Sequence, residues 1–150
     1  AHSELPAHVA ARLDELQAAF LRQHLTHIAE WNAHRRTVAG WYEELGLGEL
    51  VELPAVGDGN EPIWHLYVVR SEHREALIAG LHERGIGAMV YYANSLHQQP
   101  VFADTPQPTL PVTEQLATTG VAIPMFPTMT REQAEEVVTA VAASVPARVG

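Results

Sequence analysis

The chain has 150 residues, of which 47% are hydrophobic and 18% charged, a composition typical of one globular domain with a buried core. Eighteen acidic residues against nine arginines give a net charge of −9, which disfavours nucleic acid as a partner. There is no cysteine, which excludes disulfides and thiolate metal sites. No apolar run approaches the roughly 18 residues that span a bilayer. We therefore predict a cytoplasmic protein with no membrane partner.

The N-terminal third predicts one long helix, from residue 11 to residue 45. Apolar and aromatic residues recur there every three or four positions and form one stripe. The glycines at 46 and 48 end the pattern, as glycine commonly does after a helix. The stripe consists of Leu13, Leu16, Phe20, His24, His27, Trp31, His34, Val38, Tyr42 and Leu45.

The remainder, residues 49–146, predicts an α/β body that completes a single domain over residues 1–150. A capping box of Thr130 and Gln133 marks the start of the last helix. The segment 93–111 contains four prolines and is predicted to be irregular. Strands are predicted at 49–54, 63–70, 88–92 and 121–124, and helices at 71–84, 112–119 and 130–145. The fold class is therefore α/β, a small mixed sheet of three to four strands covered by helices.

Four stretches in this order carry a resemblance to a known family: ARLDELQAAFL with EWNAHRR, then WHLYVVR, LHQQPVFAD and IPMFPTMTREQ. The chain resembles the C-terminal small domain of the DegT/StrS family of sugar aminotransferases, which depend on pyridoxal phosphate (PLP) and have the type I aminotransferase fold. The resemblance implies a small domain together with the long helix that joins it to a large PLP-binding domain.

The residues that bind PLP in this family have no counterpart in the sequence. The chain contains no lysine, the residue that forms a Schiff base with PLP. Ala10 stands where the resemblance implies an asparagine that contacts the cofactor phosphate, and Tyr91, Tyr92 and Ala93 stand where it implies a His-Tyr-Pro run. We therefore predict that this chain holds no cofactor and is not an aminotransferase by itself.

The first half of the long helix predicts an exposed apolar face if no large domain covers it. Each fully buried apolar side chain is worth roughly 1.5–3 kcal/mol, so a cover is expected. A homodimer through the long helix is the first choice, because a two-fold helix pair buries a self-complementary stripe. The alternatives are a small molecule, a separate partner such as a full-length aminotransferase, and folding back onto the chain's own sheet. The face consists of Leu13, Leu16, Phe20, Leu21 and Leu25.

Three histidines on the same stripe, His24, His27 and His34, suggest either a metal site or a pH-sensitive seam. No carboxylate-rich second segment at ligand spacing accompanies them. We therefore expect no metal, with the histidines on a partly exposed part of the helix.

The candidate chemical residues lie at the end of the third predicted strand and in the proline-rich segment. The candidates for acid/base catalysis are Tyr91, Tyr92, His97 and His65. The candidates for substrate binding are Phe20, Trp31, Asn94 and Gln98, which would hold a small molecule between the long helix and residues 91–98. The alternative is that Tyr91 and His65 are ordinary sheet residues and that His97 caps local backbone.

Three functional hypotheses follow. The leading one is a stand-alone, PLP-independent descendant that performs cyclase- or isomerase-type chemistry on a small organic substrate in bacterial natural-product or deoxysugar biosynthesis. The second is a non-catalytic subunit that docks on a complete aminotransferase. The third is a fragment of a complete PLP-dependent sugar aminotransferase.

Overall fold

The computed structural model describes residues 13–146, and within them the chain forms five α-helices, two strands and three short 3₁₀ helices. The helices are α1 (Glu15–Leu25), α2 (Ile28–Glu44), α3 (Arg74–Glu83), α4 (Pro111–Thr119) and α5 (Arg131–Ser144). The strands are β1 (Tyr67–Arg70) and β2 (Gly120–Ile123), and the 3₁₀ helices are Leu47–Glu49, Leu96–Gln98 and Pro100–Phe102. Across this part of the chain, the helices lack the combination of length and apolarity that a membrane crossing needs.

The sheet is a two-stranded antiparallel pair in which Tyr67 lies opposite Ile123 and Arg70 opposite Gly120. A single bridge joins Glu52 to Arg70 on one side, and another joins Met89 to Ala122 on the other. The four predicted strand segments are therefore neighbours, but the predicted sheet of three to four strands is wrong.

Local backbone geometry explains the shorter strands. The first predicted strand begins inside the 3₁₀ helix Leu47–Glu49 and ends at Pro54, which has no N–H for a ladder. The second begins only at Tyr67, because Trp64 has a φ of 47°, which interrupts an extended chain. After Met89, the third leaves the sheet towards the proline-rich segment.

The predicted long helix is interrupted between α1 and α2, so the prediction of one continuous helix is wrong. The N–H groups of Thr26 and His27 donate to the carbonyls of Gln23 and His24, three residues back rather than four. The Thr26 hydroxyl also donates to the Gln23 carbonyl at 2.7 Å, a local bond that competes with the helical pattern. The predicted start at residue 11 lies outside the described residues.

Helix ends follow local chemistry more closely. Asp14 caps α1 by accepting from the N–H of Leu16 at 2.8 Å. Gly46, with a φ of 79°, follows the end of α2 as predicted. Thr130 and Gln133 form the predicted capping box of α5. The α3 helix starts three residues after Ser71, whose hydroxyl accepts from the N–H of His73.

The core lies between the sheet and helices α2, α3 and α5. Tyr42 of α2 is fully buried, and its hydroxyl donates to the Pro124 carbonyl at 2.6 Å. Its ring packs on Tyr67 of β1, and burial raises the pKa of the Tyr42 phenol well above its usual value. Besides these two tyrosines, the large side chains that are fully buried are Val38, Leu47, Val51, Val69, Leu77, Leu81, Val121, Met129 and Val141.

Candidate functional site

The proline-rich segment is joined to α4 by a pair of side chains, His97 and Glu114. Nε2 of His97 lies 3.0 Å from Oε1 of Glu114, and the same oxygen accepts from the N–H of Leu110 at 2.9 Å. The Leu110 N–H and, after it, His97 hold the pKa of the Glu114 carboxyl below its usual value of 4.5. An ionised carboxylate at the start of α4 therefore fixes the turn that carries His97.

Residues around His97 leave polar groups without partners. The His97 side chain is only 11% exposed. Two residues earlier, Ser95 is 5% exposed, and its hydroxyl has no hydrogen-bond partner within residues 13–146. The candidate binding residues Asn94 and Gln98 flank this turn with exposed side chains. The turn therefore combines a positioned imidazole with polar groups that can bind a polar ligand.

Tyr91 and Tyr92 lie close to the sheet edge that Met89 forms. Their rings meet edge to face at 6.0 Å, and the Tyr91 hydroxyl lies 3.3 Å from the Met89 sulfur. Both side chains are exposed. The alternative interpretation, in which Tyr91 and His65 are ordinary sheet residues, is wrong because neither belongs to a strand.

His65 is exposed and lies in the segment before β1. Its carbonyl and that of Trp64 accept from Nη1 of Arg35, at 3.4 Å and 3.1 Å. Within the described part of the chain, no hydrogen bond or ring contact joins His65 to Tyr91, Tyr92 or His97. Direct contacts therefore do not join the four predicted catalytic side chains into one cluster.

The predicted binding residues on the long helix lie on different helices. Phe20 is exposed on α1, whereas Trp31 lies in the first turn of α2. The Trp31 ring contacts His24 at 5.6 Å and His27 at 5.8 Å between ring centroids. His34 instead makes a 2.8 Å bond to the Met129 carbonyl.

The three stripe histidines do not converge on one point. His24 and His27 contact Trp31, whereas His34 is engaged with the Met129 carbonyl and the edge of Trp41. Across residues 13–146, no group of three or more metal-ligating side chains comes together. The metal hypothesis for these histidines therefore has no geometric support.

The predicted apolar face, which consists of Leu13 just before α1 and four residues of α1, is exposed, and its five residues are 49–67% accessible. Residues of α1 contribute nothing to the buried core within the described chain. The alternative in which this face folds back onto the chain's own sheet is therefore wrong.

A surface groove of about 480 Å³ lies between α5 and the residues at the end of α3. None of the predicted site residues lines it. Its lining consists of Arg84, Ile86, Glu132, Glu135, Glu136, Thr139 and Ala140.

Three residues of the candidate site could not be predicted from the sequence. Glu114 has a weak local signal, an acidic side chain in the first turn of a helix that begins with proline, but nothing that links it to His97. Ser95 stands as an ordinary loop serine in the sequence. Arg35 belongs to the stretch EWNAHRR that carries the family resemblance. Its contacts with the carbonyls before β1 depend on tertiary structure, so the sequence does not show them.

A family model for the DegT/DnrJ/EryC1/StrS aminotransferases matches residues 3–142. The chain belongs to this family. It is 37% identical over 131 residues to a UDP-N-acetyl-3-dehydro-alpha-D-glucosamine 3-aminotransferase of Acidithiobacillus ferrooxidans. It is also 38% identical over 133 residues to a dTDP-3-amino-3,6-dideoxy-alpha-D-galactopyranose transaminase of Aneurinibacillus thermoaerophilus.

A solved structure agrees with the sequence relatives. S. venezuelae DesV, determined in complex with a ketimine intermediate, matches 88% of this chain at 36% identity and a TM-score of 0.81. The match covers 36% of the DesV chain, and the two relatives above are covered to 36% and 37%. The chain therefore corresponds to the small domain and spans little more than a third of the proteins it resembles.

The residues present do not fit covalent attachment of PLP, the cofactor that the family implies. Attachment requires the amine of a lysine, and the basic side chains here are arginines and histidines. The position of Ala10, where the resemblance implies a phosphate contact, lies outside the described residues. These 150 residues therefore cannot form the Schiff base with PLP by themselves.

Proposed function

We propose that this chain is the small-domain part of a sugar aminotransferase and forms one wall of its substrate site. Polypeptide outside these 150 residues supplies the lysine and holds PLP. The observation that carries the proposal is the match to DesV, with a TM-score of 0.81 at 36% identity over 88% of the chain.

The exposed face of α1 supports the same proposal. Six large apolar side chains between residues 13 and 28 are at least 46% exposed, and a stable protein normally covers such a face. We propose that part of this face is covered by the polypeptide that supplies the missing two thirds of the relatives' length. The homodimer through the long helix stays a prediction alongside this one, because a second copy can cover the same residues.

The substrate class we propose is a nucleotide-activated sugar. Two relatives are named for UDP- and dTDP-linked sugars. In the site, the side chains of Tyr92, Asn94 and Gln98 are exposed and can form hydrogen bonds with sugar hydroxyl groups. His97 adds an imidazole that Glu114 holds in place. These residues bind and orient the sugar, and the amino-transfer chemistry belongs to the PLP-bearing part.

A chimera tests the proposal. The matching segment of the Aneurinibacillus thermoaerophilus transaminase is replaced by this chain, and the product is supplied with PLP. We expect the chimera to transfer the amino group from its dTDP-amino sugar to a 2-oxo acid. The 150-residue chain with PLP is expected to show no turnover, because it has no lysine.

The unmodified transaminase and a chimera whose active-site lysine is replaced by alanine serve as positive and negative controls. A chimera that folds and binds PLP but does not transfer the amino group contradicts the proposal. The comparisons offer no support for the leading sequence hypothesis of PLP-independent cyclase or isomerase chemistry. Conversion of a sugar nucleotide by the 150-residue chain without PLP would revive that hypothesis and displace the proposed function.

A further inference from the structure

Glu114 selects one tautomer of His97. Its Oε1 accepts from Nε2 of His97 at 3.0 Å and from the N–H of Leu110 at 2.9 Å. An ionised carboxylate has no hydrogen to donate, so the proton of this bond must belong to Nε2. In a neutral imidazole the other nitrogen, Nδ1, is then a hydrogen-bond acceptor.

The Leu110 N–H holds the Glu114 carboxylate in place. It belongs to the residue immediately before α4, and its bond to Oε1 fixes the carboxylate even when the imidazole turns. Both bonds end on the same oxygen, so an amide at position 114 can preserve them with its carbonyl oxygen. Charge and position are therefore separable in an experiment.

Polar groups of the His97 turn remain available to a ligand. No residue of the described chain forms a hydrogen bond with Nδ1 of His97. The Ser95 hydroxyl, on the residue that begins the same 3₁₀ turn, is buried and has no partner in that part of the chain either. Buried polar groups are normally hydrogen-bonded, so an unpaired one at this turn indicates a missing partner.

We infer that Glu114 is a positioning residue: it fixes His97 as the Nε2–H tautomer and leaves Nδ1 to accept a hydrogen bond from a sugar hydroxyl group. The inference rests on the proposed function for the identity of the ligand. An acceptor nitrogen binds a hydroxyl but not a carbonyl or phosphate oxygen, since those groups have no proton to donate. The pair therefore favours a substrate that presents a hydroxyl at this point.

The tautomer is measured on the 150-residue chain labelled with ¹⁵N-histidine, by ¹H–¹⁵N correlations through the imidazole ring at about pH 8, where an ordinary histidine is neutral. We expect the Nε2–H form to dominate at His97. Glu114→Ala is expected to abolish that preference, and Glu114→Gln is expected to retain it. His34, whose Nε2 bonds to the Met129 carbonyl, is the internal reference and should not change.

The substrate role is measured in the active chimera with the same two variants. Glu114→Ala should raise the KM for the sugar nucleotide about fivefold with little change in kcat, because a hydrogen bond of ordinary strength is lost from ground state and transition state alike. Glu114→Gln should stay within about twofold of the parent. Glu135→Gln, an equal loss of charge on α5, is the matched control and should have no effect.

Dominance of the Nδ1–H form in the parent, or an unchanged tautomer in Glu114→Ala, would overturn the inference. So would equal losses in Glu114→Gln and Glu114→Ala, or a fall in kcat with lower thermal stability and unchanged KM, which would indicate a purely structural residue. An inactive parent chimera would refute the proposed function instead. The tautomer measurement still decides whether Glu114 positions His97 in that case.

Discussion

Helices α3 and α5 cross so closely at Gly80 that a methyl group does not fit. A Cβ built on Gly80 would lie 2.0 Å from Oγ and 2.7 Å from Cβ of Ser144. The hydroxyl can rotate only by giving up its 2.6 Å bond to the Ala140 carbonyl, and Cβ is fixed to the backbone. Gly80→Ala must therefore push the helices apart by about 1 Å to reach an ordinary carbon–carbon contact.

The expected change in the unfolding free energy of Gly80→Ala follows from two opposing effects. Overpacking a core contact costs about 1–3 kcal/mol, whereas alanine gains up to about 1 kcal/mol over glycine inside a helix. Gly40, within α2, is the matched control, because nothing lies within 4 Å of its added Cβ. Gly40→Ala should stabilise the chain, and the difference between the variants isolates the overpacking cost of about 1–3 kcal/mol.

Urea unfolding followed by circular dichroism measures both variants, with unchanged m-values as the check that unfolding is comparable. A second substitution, Ser144→Gly, removes the clashing atoms and should recover most of the loss in the Gly80→Ala background. Equal stabilities of Gly80→Ala and Gly40→Ala would refute the close crossing of α3 and α5.

Three further predictions follow from other contacts. Phe20→Asp should raise the dissociation constant of any dimer through α1 by about 100-fold, because two copies of a buried ring are lost. Sedimentation equilibrium measures this constant, and Ala18→Asp, on the opposite side of α1, is the control. Tyr42→Phe should cost about 1–3 kcal/mol in unfolding free energy, because the Pro124 carbonyl loses its donor. Because the pKa of the Glu114 carboxyl is lowered in the folded chain, its contribution to stability is complete above pH 4.5 and is lost only as the pH falls through that lower pKa. The Leu110 amide should therefore stay protected from hydrogen exchange just below pH 4.5, as measured by its protection factor.

The helix ends could be predicted because their chemistry is local. Thr130 and Gln133 satisfy each other's backbone three residues apart, and Gly46 adopts a backbone conformation that costs other residues more. Strand ends could not be predicted in the same way, because pairing depends on distant segments. Met89 pairs with Ala122, but no sequence signal shows that the pairing stops after one residue.

The contacts of the candidate site could be predicted only in part, for the same reason. His97 stood out because it is a titratable residue in a proline-rich segment, whereas its partner lies 17 residues further along, on another element. For the three stripe histidines, the sequence instead predicted a shared position that the structure does not have. Helical periodicity placed His24, His27 and His34 together, but the turn at Thr26–His27 ends the continuous helix on which that alignment depends.

The break between α1 and α2 also changes how the exposed face is understood. A continuous helix would carry the apolar residues of α1 along the axis that packs against α5, so the core would fix their direction. In the structure, α2 packs on α5, whereas no residue of α1 is buried. The direction of α1 then depends on a turn of two residues, and whatever covers Phe20 and its neighbours also sets that direction. A protein that covers α1 would therefore also fix the direction of α1 relative to the rest of this domain, because that direction depends on the same turn.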